Sequence, residues 1–454
     1  RELVFPIPGR SILWFEKLVP EATDPVTWAR YQARVAAISE SVDRRSIFGS
    51  IAEPAEVFGL FIVEPGGVHQ SRVTFVARMV FGPETGWLAN WPDDGPRRLW
   101  KAKVGTGFSS IAVANGKVYT IGNSGRGKGE EKDTVFCFDA TTGKVIWSHA
   151  YEAKLDPKYY VGGPSSTPTV NGDRVYTLSK RGLLICFGAD DGHVIWQKNV
   201  AEETKAKRPT WGFAGSPLVS GSTLYVNVGS HGMALDKKNG KILWSTGRES
   251  SGYSSFVPHV RDGKRELVTF AYKEIVAVDP KTGSVLWSYP WETKHDTNSA
   301  DPILIGDKVF ISSGYDRGCA LLQVDGNQVR KLWENKNMRN HFNPCVLIDG
   351  HVYGFDGNTG RATLKCLDLA TGKVQWEEDS FDGFGAVQAI GKKLLIISNQ
   401  GELVVAEANA SEFKEISRAQ VTGPKCWTTP VLSNGRIYCR NSRGDLTCLD
   451  VSGK

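Results

Sequence analysis

Phe138-Asp-Ala-Thr-Thr-Gly-Lys-Val-Ile-Trp147 decides the fold of this chain, because the same pattern returns several times along it. The pattern is an aspartate, a glycine four residues later and a tryptophan four residues after the glycine. Copies with this spacing end at Trp244, Trp287 and Trp376, and looser copies end at Trp196, Trp333 and Ile416. An isolated Leu99-Trp100 precedes all of them. Successive ends lie 40 to 49 residues apart, which is the period of a four-stranded propeller blade.

Each part of the repeat has a physical role in such a blade. The aspartate accepts hydrogen bonds from its own turn, and the glycine adopts the positive φ that other residues resist. Upstream runs such as Gly116-Lys-Val-Tyr-Thr-Ile121 show the alternation of strands with one buried face. A lone blade cannot bury both of its faces, so the blades must stack around a ring. We expect each tryptophan to pack between neighbouring blades.

The two ends of the repeat region complement each other. The last copy, residues 427–450, has three strands and lacks the tryptophan-bearing fourth, whereas Arg97-Arg-Leu-Trp100 is a fourth strand without the first three. Pairing them closes the ring. The sequence therefore predicts an all-β fold, an eight-bladed β-propeller over residues 83–454 whose N-terminal strand pairs with the C-terminal blade. The other seven blades are predicted at 108–147, 165–196, 215–244, 254–287, 299–333, 342–376 and 384–416.

Residues 1–82 do not match the repeat and are predicted to be a small α+β segment. Asp24-Pro25 is a favourable helix start. The residues that follow carry an apolar stripe at helical spacing, which predicts an amphipathic helix at 25–43. Strands are predicted at 57–63 and 73–81. The segment is either a piece that leans on the propeller or an unrelated fused fragment, and the sequence assigns it no function.

Composition argues against several classes of function. A net charge of +6 over 454 residues is small, and no nucleic-acid partner is predicted because such binding needs clustered positive charge. The longest apolar runs, 58–63 and 394–397, are far too short to cross a bilayer, so no transmembrane segment is predicted. The chain starts at Arg1 without a charged and then apolar leader, so we expect no signal peptide in it.

The cysteines fit a packing role. Four of the eight share one repeat position, two residues before the turn aspartate or its equivalent: Cys137, Cys186, Cys366 and Cys448. Equivalent positions in different blades lie too far apart for a disulfide, whose Cα atoms are within about 7 Å. We therefore expect small buried residues on the third strand, although a bridge between Cys439 and Cys448 within one hairpin stays open. No cysteine or histidine spacing indicates zinc, and no metal site is predicted.

The turns resemble those of the pyrroloquinoline-quinone (PQQ) repeat family. That family includes quinoprotein alcohol dehydrogenases and the propeller lipoprotein of the outer-membrane protein assembly machinery. Trp87-Leu-Ala-Asn-Trp91, Trp211-Gly-Phe-Ala-Gly-Ser-Pro217 and Ile311-Ser-Ser-Gly-Tyr315 make the chain similar to stand-alone propellers of this family from planctomycete-type bacteria. The resemblance implies a periplasmic or cell-envelope location.

The resemblance also leaves two functions to weigh. The quinoprotein dehydrogenases have a disulfide between adjacent cysteines, against which the quinone stacks, and an acidic base beside a calcium ion. No two cysteines are adjacent here, and Asp301 is the only comparable acid that the repeat places at the channel mouth. One carboxylate is a poor site for a hard cation. We therefore predict a non-catalytic binding or scaffold module without a cofactor or catalytic residues. A quinone-dependent alcohol dehydrogenase-like oxidoreductase with PQQ and Ca²⁺ is the alternative.

A binding site is predicted at the mouth of the central channel. The loops that precede the innermost strands differ from blade to blade yet share one location, and such concave regions are the usual binding sites. Seven of these eight loops carry an aromatic residue. The subset that mixes charge with large aromatics, as interaction hot spots do, is Trp211, Tyr253, Asp301, Arg339, His341, Lys425 and Trp427. We expect a protein or polymer partner there and a monomeric chain.

Overall fold

The computed structural model describes residues 2–7, 10–15, 86–92, 94–125, 131–157, 160–357 and 362–453. The chain divides into two compact units, Arg1–Thr74 and Phe75–Lys454. In the first unit, strands β1 (Glu2–Ile7) and β2 (Arg10–Phe15) form an antiparallel hairpin. The predicted helix at 25–43, the strands at 57–63 and 73–81 and the boundary at residue 82 lie outside the described residues, so they stay predictions.

The second unit confirms the predicted eight-bladed β-propeller, since it contains eight four-stranded antiparallel sheets. The first four blades are built from consecutive strands. Blade 1 contains β4 (Ala112–Ala114), β5 (Lys117–Asn123), β6 (Lys132–Asp139) and β7 (Val145–Glu152). Blade 2 contains β8 (Thr169–Asn171), β9 (Arg174–Leu178), β10 (Leu183–Gly188) and β11 (Val194–Asn199). Blade 3 contains β12 (Leu218–Ser220), β13 (Thr223–Val226), β14 (Met233–Asp236) and β15 (Ile242–Ser245). Blade 4 contains β16 (Val257–Arg261), β17 (Lys264–Phe270), β18 (Glu274–Val278) and β19 (Val285–Pro290).

Blades 5 to 7 follow the same order. Blade 5 contains β20 (Ile303–Ile305), β21 (Lys308–Ser313), β22 (Gly318–Asp325) and β23 (Gln328–Asn335). Blade 6 contains β24 (Val346–Ile348), β25 (His351–Gly357), β26 (Ala362–Asp368) and β27 (Val374–Glu378). Blade 7 contains β28 (Gly385–Ile390), β29 (Lys393–Ser398), β30 (Glu402–Glu407) and β31 (Lys414–Gln420). A one-turn helix, α1 (Val200–Thr204), and a 3-10 turn (Lys294–Asp296) lie in the connections to blades 3 and 5.

Blade 8 closes the ring in the way that the sequence predicts. Its three C-terminal strands are β32 (Val431–Ser433), β33 (Arg436–Arg440) and β34 (Asp445–Asp450), and its fourth is the N-terminal β3 (Arg98–Lys103). Trp100 lies opposite Cys448 in the β3–β34 pair. An ion pair of 2.6 Å between Arg97 and Asp450 extends this contact.

The repeated tryptophan and glycine contact each other across the blade boundaries. The indole nitrogen of Trp100 donates to the carbonyl of Ala140 in blade 1 at 3.1 Å. Its ring covers Gly143, where an added Cβ would lie 2.5 Å from the indole. Gly143 has a φ of +69°, so this glycine serves both the turn and the close packing. The same donation to the next blade, at 2.8 to 3.1 Å, is made by Trp147, Trp196, Trp244, Trp333 and Trp376.

Trp287 of blade 4 has a different partner. Its indole nitrogen donates to the buried carboxylate of Glu266 at 3.0 Å. The reason is that the β22–β23 hairpin of blade 5 closes directly between Asp325 and Gln328, without the longer repeat turn that receives the other tryptophans. Glu266 also accepts from His259 Nδ1 at 2.8 Å, and this bond and the nearby Arg261 keep the pKa of Glu266 below its usual range although burial opposes them.

All eight cysteines are buried and free, so the bridge left open between Cys439 and Cys448 is not formed. Cys137, Cys186, Cys366 and Cys448 each lie opposite a tyrosine of the second strand in their own blade. Burial raises the pKa of the Cys448 thiol to about 12, so this thiol is protonated at neutral pH. A small apolar side chain opposite a large ring fits the packing role expected from the repeat.

Candidate binding site at the channel mouth

We call the segments that precede the innermost strands the mouth loops. Small polar residues link the mouth loops of blades 1 to 5 in a series, because each backbone N–H donates to a side-chain oxygen of the next loop. The four bonds, of 2.9 to 3.1 Å, run from Ser110 to Thr167, from Thr167 to Ser216, from Ser216 to Ser255 and from Ser255 to Asp301. The Asp301 carboxylate at the end of this series therefore holds a loop in place.

Aromatic rings from the mouth loops, together with Tyr315 of the β21–β22 hairpin, also contact one another. Ring centroids lie 4.7 to 6.1 Å apart in the pairs Trp211–Tyr160, Tyr160–Phe108, Phe108–Trp427, Trp427–Phe342, Trp427–Phe384, Phe342–Phe384, His341–Phe342, His341–Tyr315 and Tyr315–His295. These distances are those of favourable edge-to-face and offset packing. The rings brace loops that are distant in the sequence, so the mouth is preorganised.

The predicted site residues fall into separate groups on this face. Trp211 and Tyr253 are adjacent, because the backbone N–H of Trp211 donates to the Tyr253 hydroxyl at 3.4 Å. Trp427 is a second centre: its indole nitrogen donates to Asn399 Oδ1 at 2.9 Å, and Lys425 Nζ lies 5.3 Å from its ring centroid. Tyr160 and Phe108 lie between the two groups and contact Trp211 and Trp427, respectively.

His341 joins the aromatic contacts as a neutral ring. Burial lowers its pKa to about 4, and its Nδ1 is buried without a hydrogen-bond partner among the described residues. A charged imidazole among the Tyr315, Phe342 and Phe384 rings would be poorly solvated, which explains the lowered pKa. His341 therefore contributes ring surface to the mouth and no positive charge at neutral pH.

Arg339 has an intramolecular partner. Its guanidinium makes two bonds of 2.8 Å to the buried Asp356, and its backbone N–H donates to the same carboxylate at 2.7 Å. Lys365 pairs with Asp356 as well, at 2.9 Å. Asp316 lies within 3.4 Å of Arg339. Asp316 and Asp356 therefore lie beside this mouth loop, in addition to Asp301, the acid that the repeat places at the channel mouth.

A cavity of about 410 Å³ opens beside Trp427. We call it the mouth cavity, and its lining residues are Val161, Phe384, Asn399, Gln400, Pro424, Lys425, Trp427, Ser442 and Arg443. Asn399, Gln400, Ser442 and Arg443 come from hairpins between second and third strands, which sequence reasoning did not consider. A signal for them existed: strand direction alternates within a blade, so these hairpins reach the same face as the mouth loops in every blade.

The donor set at the mouth does not fit a calcium ion beside a quinone. Asp301 is only 8% exposed, and its Oδ1 already accepts from Ser255 at 2.9 Å. Within the described residues, no group of three histidine, cysteine, aspartate or glutamate side chains is arranged to hold a metal ion. In the same part of the chain, no helix is long and apolar enough to span a membrane.

Comparison with known proteins places this fold. Residues 131–378 match the family described as "Outer membrane protein assembly factor BamB". The structure is similar to that of BamB from Moraxella catarrhalis, with a TM-score of 0.55 and 16% identity over 78% of this chain and 100% of that one. Quinohemoprotein alcohol dehydrogenase from Comamonas testosteroni is similar with a TM-score of 0.54 and 14% identity, over 80% of this chain and 77% of that one. The computationally designed Ika8 protein is similar with a TM-score of 0.54 and 12% identity, over 79% of this chain and 100% of that one. No curated protein matches the sequence.

Proposed function

Because this chain belongs to the family of the outer membrane protein assembly factor BamB, we propose that it is a non-catalytic propeller that binds a protein or polymer partner in the bacterial cell envelope. The observation that carries the proposal is the mouth cavity, where side chains from different blades converge next to Trp427. We place the protein in the periplasm or elsewhere in the envelope, and we propose that it acts as a monomer.

The rigidity of the mouth supports a role in binding. The series of bonds from Ser110 to Asp301 and the aromatic contacts around Trp427 fix the loops before a partner arrives. A preorganised surface loses little conformational entropy on association. Tryptophan, tyrosine and arginine carry much of the energy in protein interfaces. Trp211 and Trp427 are partly exposed and are available to a partner without a large rearrangement, whereas Tyr253 is buried and supports Trp211 from below.

The alternative is a quinone-dependent alcohol dehydrogenase-like oxidoreductase. The observation in its favour is that a flat anion would find both an aromatic ring and positive charge in the mouth cavity, from Trp427, Lys425 and Arg443. Against it stand Asp301, which is bonded to Ser255, and the eight free cysteines, of which no two are adjacent in the sequence.

One pair of measurements separates the two functions. The purified chain is incubated with PQQ and calcium, and dye-linked oxidation of alcohols is recorded. In parallel, the immobilised chain is exposed to solubilised envelope proteins of the source cells. Capture of a discrete protein without oxidation supports the binding function, whereas quinone binding with alcohol oxidation would overturn it.

A further inference from the structure

We propose that the mouth cavity binds the carboxylate of an acidic segment of a partner protein, with an apolar neighbour of that carboxylate resting beside Trp427. The inference rests on the proposed binding function and adds the chemistry of the partner. It depends on three features of the cavity: two cations without a carboxylate partner, a buried hydroxyl without a partner, and a wall of apolar side chains.

The first feature is the pair Lys425 and Arg443. Among the described residues, neither side chain has a carboxylate within ion-pair distance, in contrast to Arg339 on the same face. Lys425 has a φ of 70°, a left-handed conformation that few residues other than glycine adopt. Its backbone N–H donates to Asn399 O at 2.7 Å, and its carbonyl accepts from Ser442 N at 3.0 Å. The fold therefore holds this lysine at a defined place in the cavity wall.

The second feature is Ser442. The residue is 2% exposed and lines the cavity, yet its hydroxyl is buried without a hydrogen-bond partner among the described residues. Buried hydroxyls normally have a partner, so a ligand oxygen would complete this one. Asn399 adds another donor. Its Oδ1 accepts from the Trp427 indole, so its amide nitrogen is the group that can donate to a ligand. The polar groups of the cavity are thus mainly donors, which select an anion.

The neighbouring acid does not reverse this charge balance. Gln400 Nε2 donates to Asp382 Oδ2 at 3.0 Å, so this amide is already engaged. Asp382 is exposed to solvent, and water screens its repulsion of a bound anion. A carboxylate placed near Lys425 and Ser442 meets cationic and neutral donors.

The third feature, the apolar side of the cavity, determines which group lies next to the carboxylate in the ligand. Val161, Phe384, Pro424 and Trp427 supply an apolar side to the cavity, and Trp427 is braced by Phe108 and Phe342 at centroid distances of 5.0 Å. A volume of about 410 Å³ is at the lower end for ligand sites and holds one or two side chains. Gln400, Pro424 and Arg443 are exposed at the rim, so a longer chain can continue out across the mouth. A peptide with an acidic residue beside an apolar one meets these conditions.

The test is calorimetric titration of the full chain with an acetylated, amidated five-residue peptide that has a phenylalanine between two glutamates. We expect saturable binding that is at least about tenfold weaker for the same peptide with glutamines, and about tenfold weaker for Lys425→Met and for Arg443→Met, since each loses a charge contact. Ser442→Ala weakens binding by a smaller factor. Lys308→Met, which removes one exposed charge from the β20–β21 hairpin at the opposite end of the inner strand, leaves it unchanged. Equal melting temperatures of the variants show that they are folded.

Three results would overturn the inference: equal binding of the glutamine peptide, unchanged binding by Lys425→Met and Arg443→Met, or binding of PQQ at these residues without binding of the peptide. The last would point to a free carboxylic acid as the ligand. Failure of the inference is distinct from failure of the proposed function. If a double Lys425→Met, Arg443→Met variant still captures the same envelope protein, the binding function stands and the carboxylate site does not.

Discussion

Replacing Arg440 should weaken the closure of the ring. Arg440 lies in β33 of blade 8 and is 1% exposed. Its Nη1 donates at 2.8 Å to Ser109 O, Thr120 Oγ1 and Ile121 O of blade 1 and its mouth loop. Its Nη2 donates to the carbonyls of Gly105 and Gly107 at 3.3 and 3.2 Å. Burial lowers its pKa to about 9, so at neutral pH the guanidinium is charged and bonded to neutral oxygens across the boundary between blade 8 and blade 1.

The size of the effect follows from what Arg440→Leu leaves behind. Five oxygens lose a donor, and an oxygen left without a partner in the interior costs about 1 to 3 kcal/mol. The sum is an overestimate, because Ser109 O also accepts from Thr120 Oγ1 at 3.4 Å and because removing a buried charge recovers its desolvation cost. We expect a net loss of about 2 to 4 kcal/mol in the free energy of unfolding.

Asn227 offers an internal comparison. It holds the equivalent position in blade 3, two residues after the tyrosine of the second strand, and donates to the matching oxygens of the next blade: Ser254 O, Thr269 Oγ1 and Phe270 O. Since it is neutral and makes three bonds where Arg440 makes five, Asn227→Leu should cost less, about 1 to 2 kcal/mol.

Equilibrium unfolding in urea measures these differences, and the exposed Arg443→Leu is the matched control, with an expected change within about 0.5 kcal/mol. If Arg440→Leu unfolds at the same urea concentration as the parent protein, the guanidinium does not hold the closure and the reasoning is refuted.

Three further predictions concern the interior. Gly143→Ala should lower the free energy of unfolding by about 2 kcal/mol or more, since its Cβ would lie 2.5 Å from the Trp100 indole at a φ of +69°; an unchanged urea midpoint would contradict this packing. The pKa of His341 is lowered to about 4 in the folded chain, so the unfolded chain binds more protons between about pH 6.5 and 4. The free energy of unfolding therefore decreases as the pH is lowered through that window. In His341→Phe, the free energy of unfolding should decrease less than in the parent protein as the pH is lowered. The raised pKa of Asp133, about 6, acts with the opposite sign but equally in both proteins. Parallel profiles of stability against pH would refute the assignment. The eight buried thiols should not react with a disulfide reagent in the folded protein and should all react in urea, and rapid labelling of the native chain would show that the cysteines are accessible.

Much of the fold is visible in the sequence because one blade boundary recurs with the same chemistry. The spacing of aspartate, glycine and tryptophan predicts a turn and the indole that covers it. The incomplete copies at the two ends of the repeat region predict that the ring closes through the strand that contains Trp100. Trp287 shows the limit of this reasoning. Its own repeat is regular, yet its partner is Glu266, because the next blade lacks the turn that would receive it. A repeat predicts the structure of a residue's own blade, but it does not predict which group the next blade places opposite that residue.

The site was less predictable than the fold. Aligned mouth loops indicate which residues reach the channel mouth, but they do not show which charges are already engaged. Arg339 is bonded to Asp356, a residue 17 positions later at the end of a strand, and no local pattern links the two. Ser442 and Arg443 lie in a short hairpin that reads as an ordinary turn. Their importance arises from the space beside Trp427, which depends on how three blades pack.

Site-specific photo-crosslinking from the mouth tests the central claim most directly. A photoreactive amino acid is placed at Gln400, on the rim of the mouth cavity, or at Lys308, in the hairpin at the opposite end of the inner strand of blade 5, and each full-length variant is irradiated in the envelope fraction of the source cells. We expect one discrete protein adduct from position 400 and none from position 308. Adducts from position 308 with none from position 400 would show that the partner binds elsewhere and would contradict the assignment of the channel mouth as the binding site.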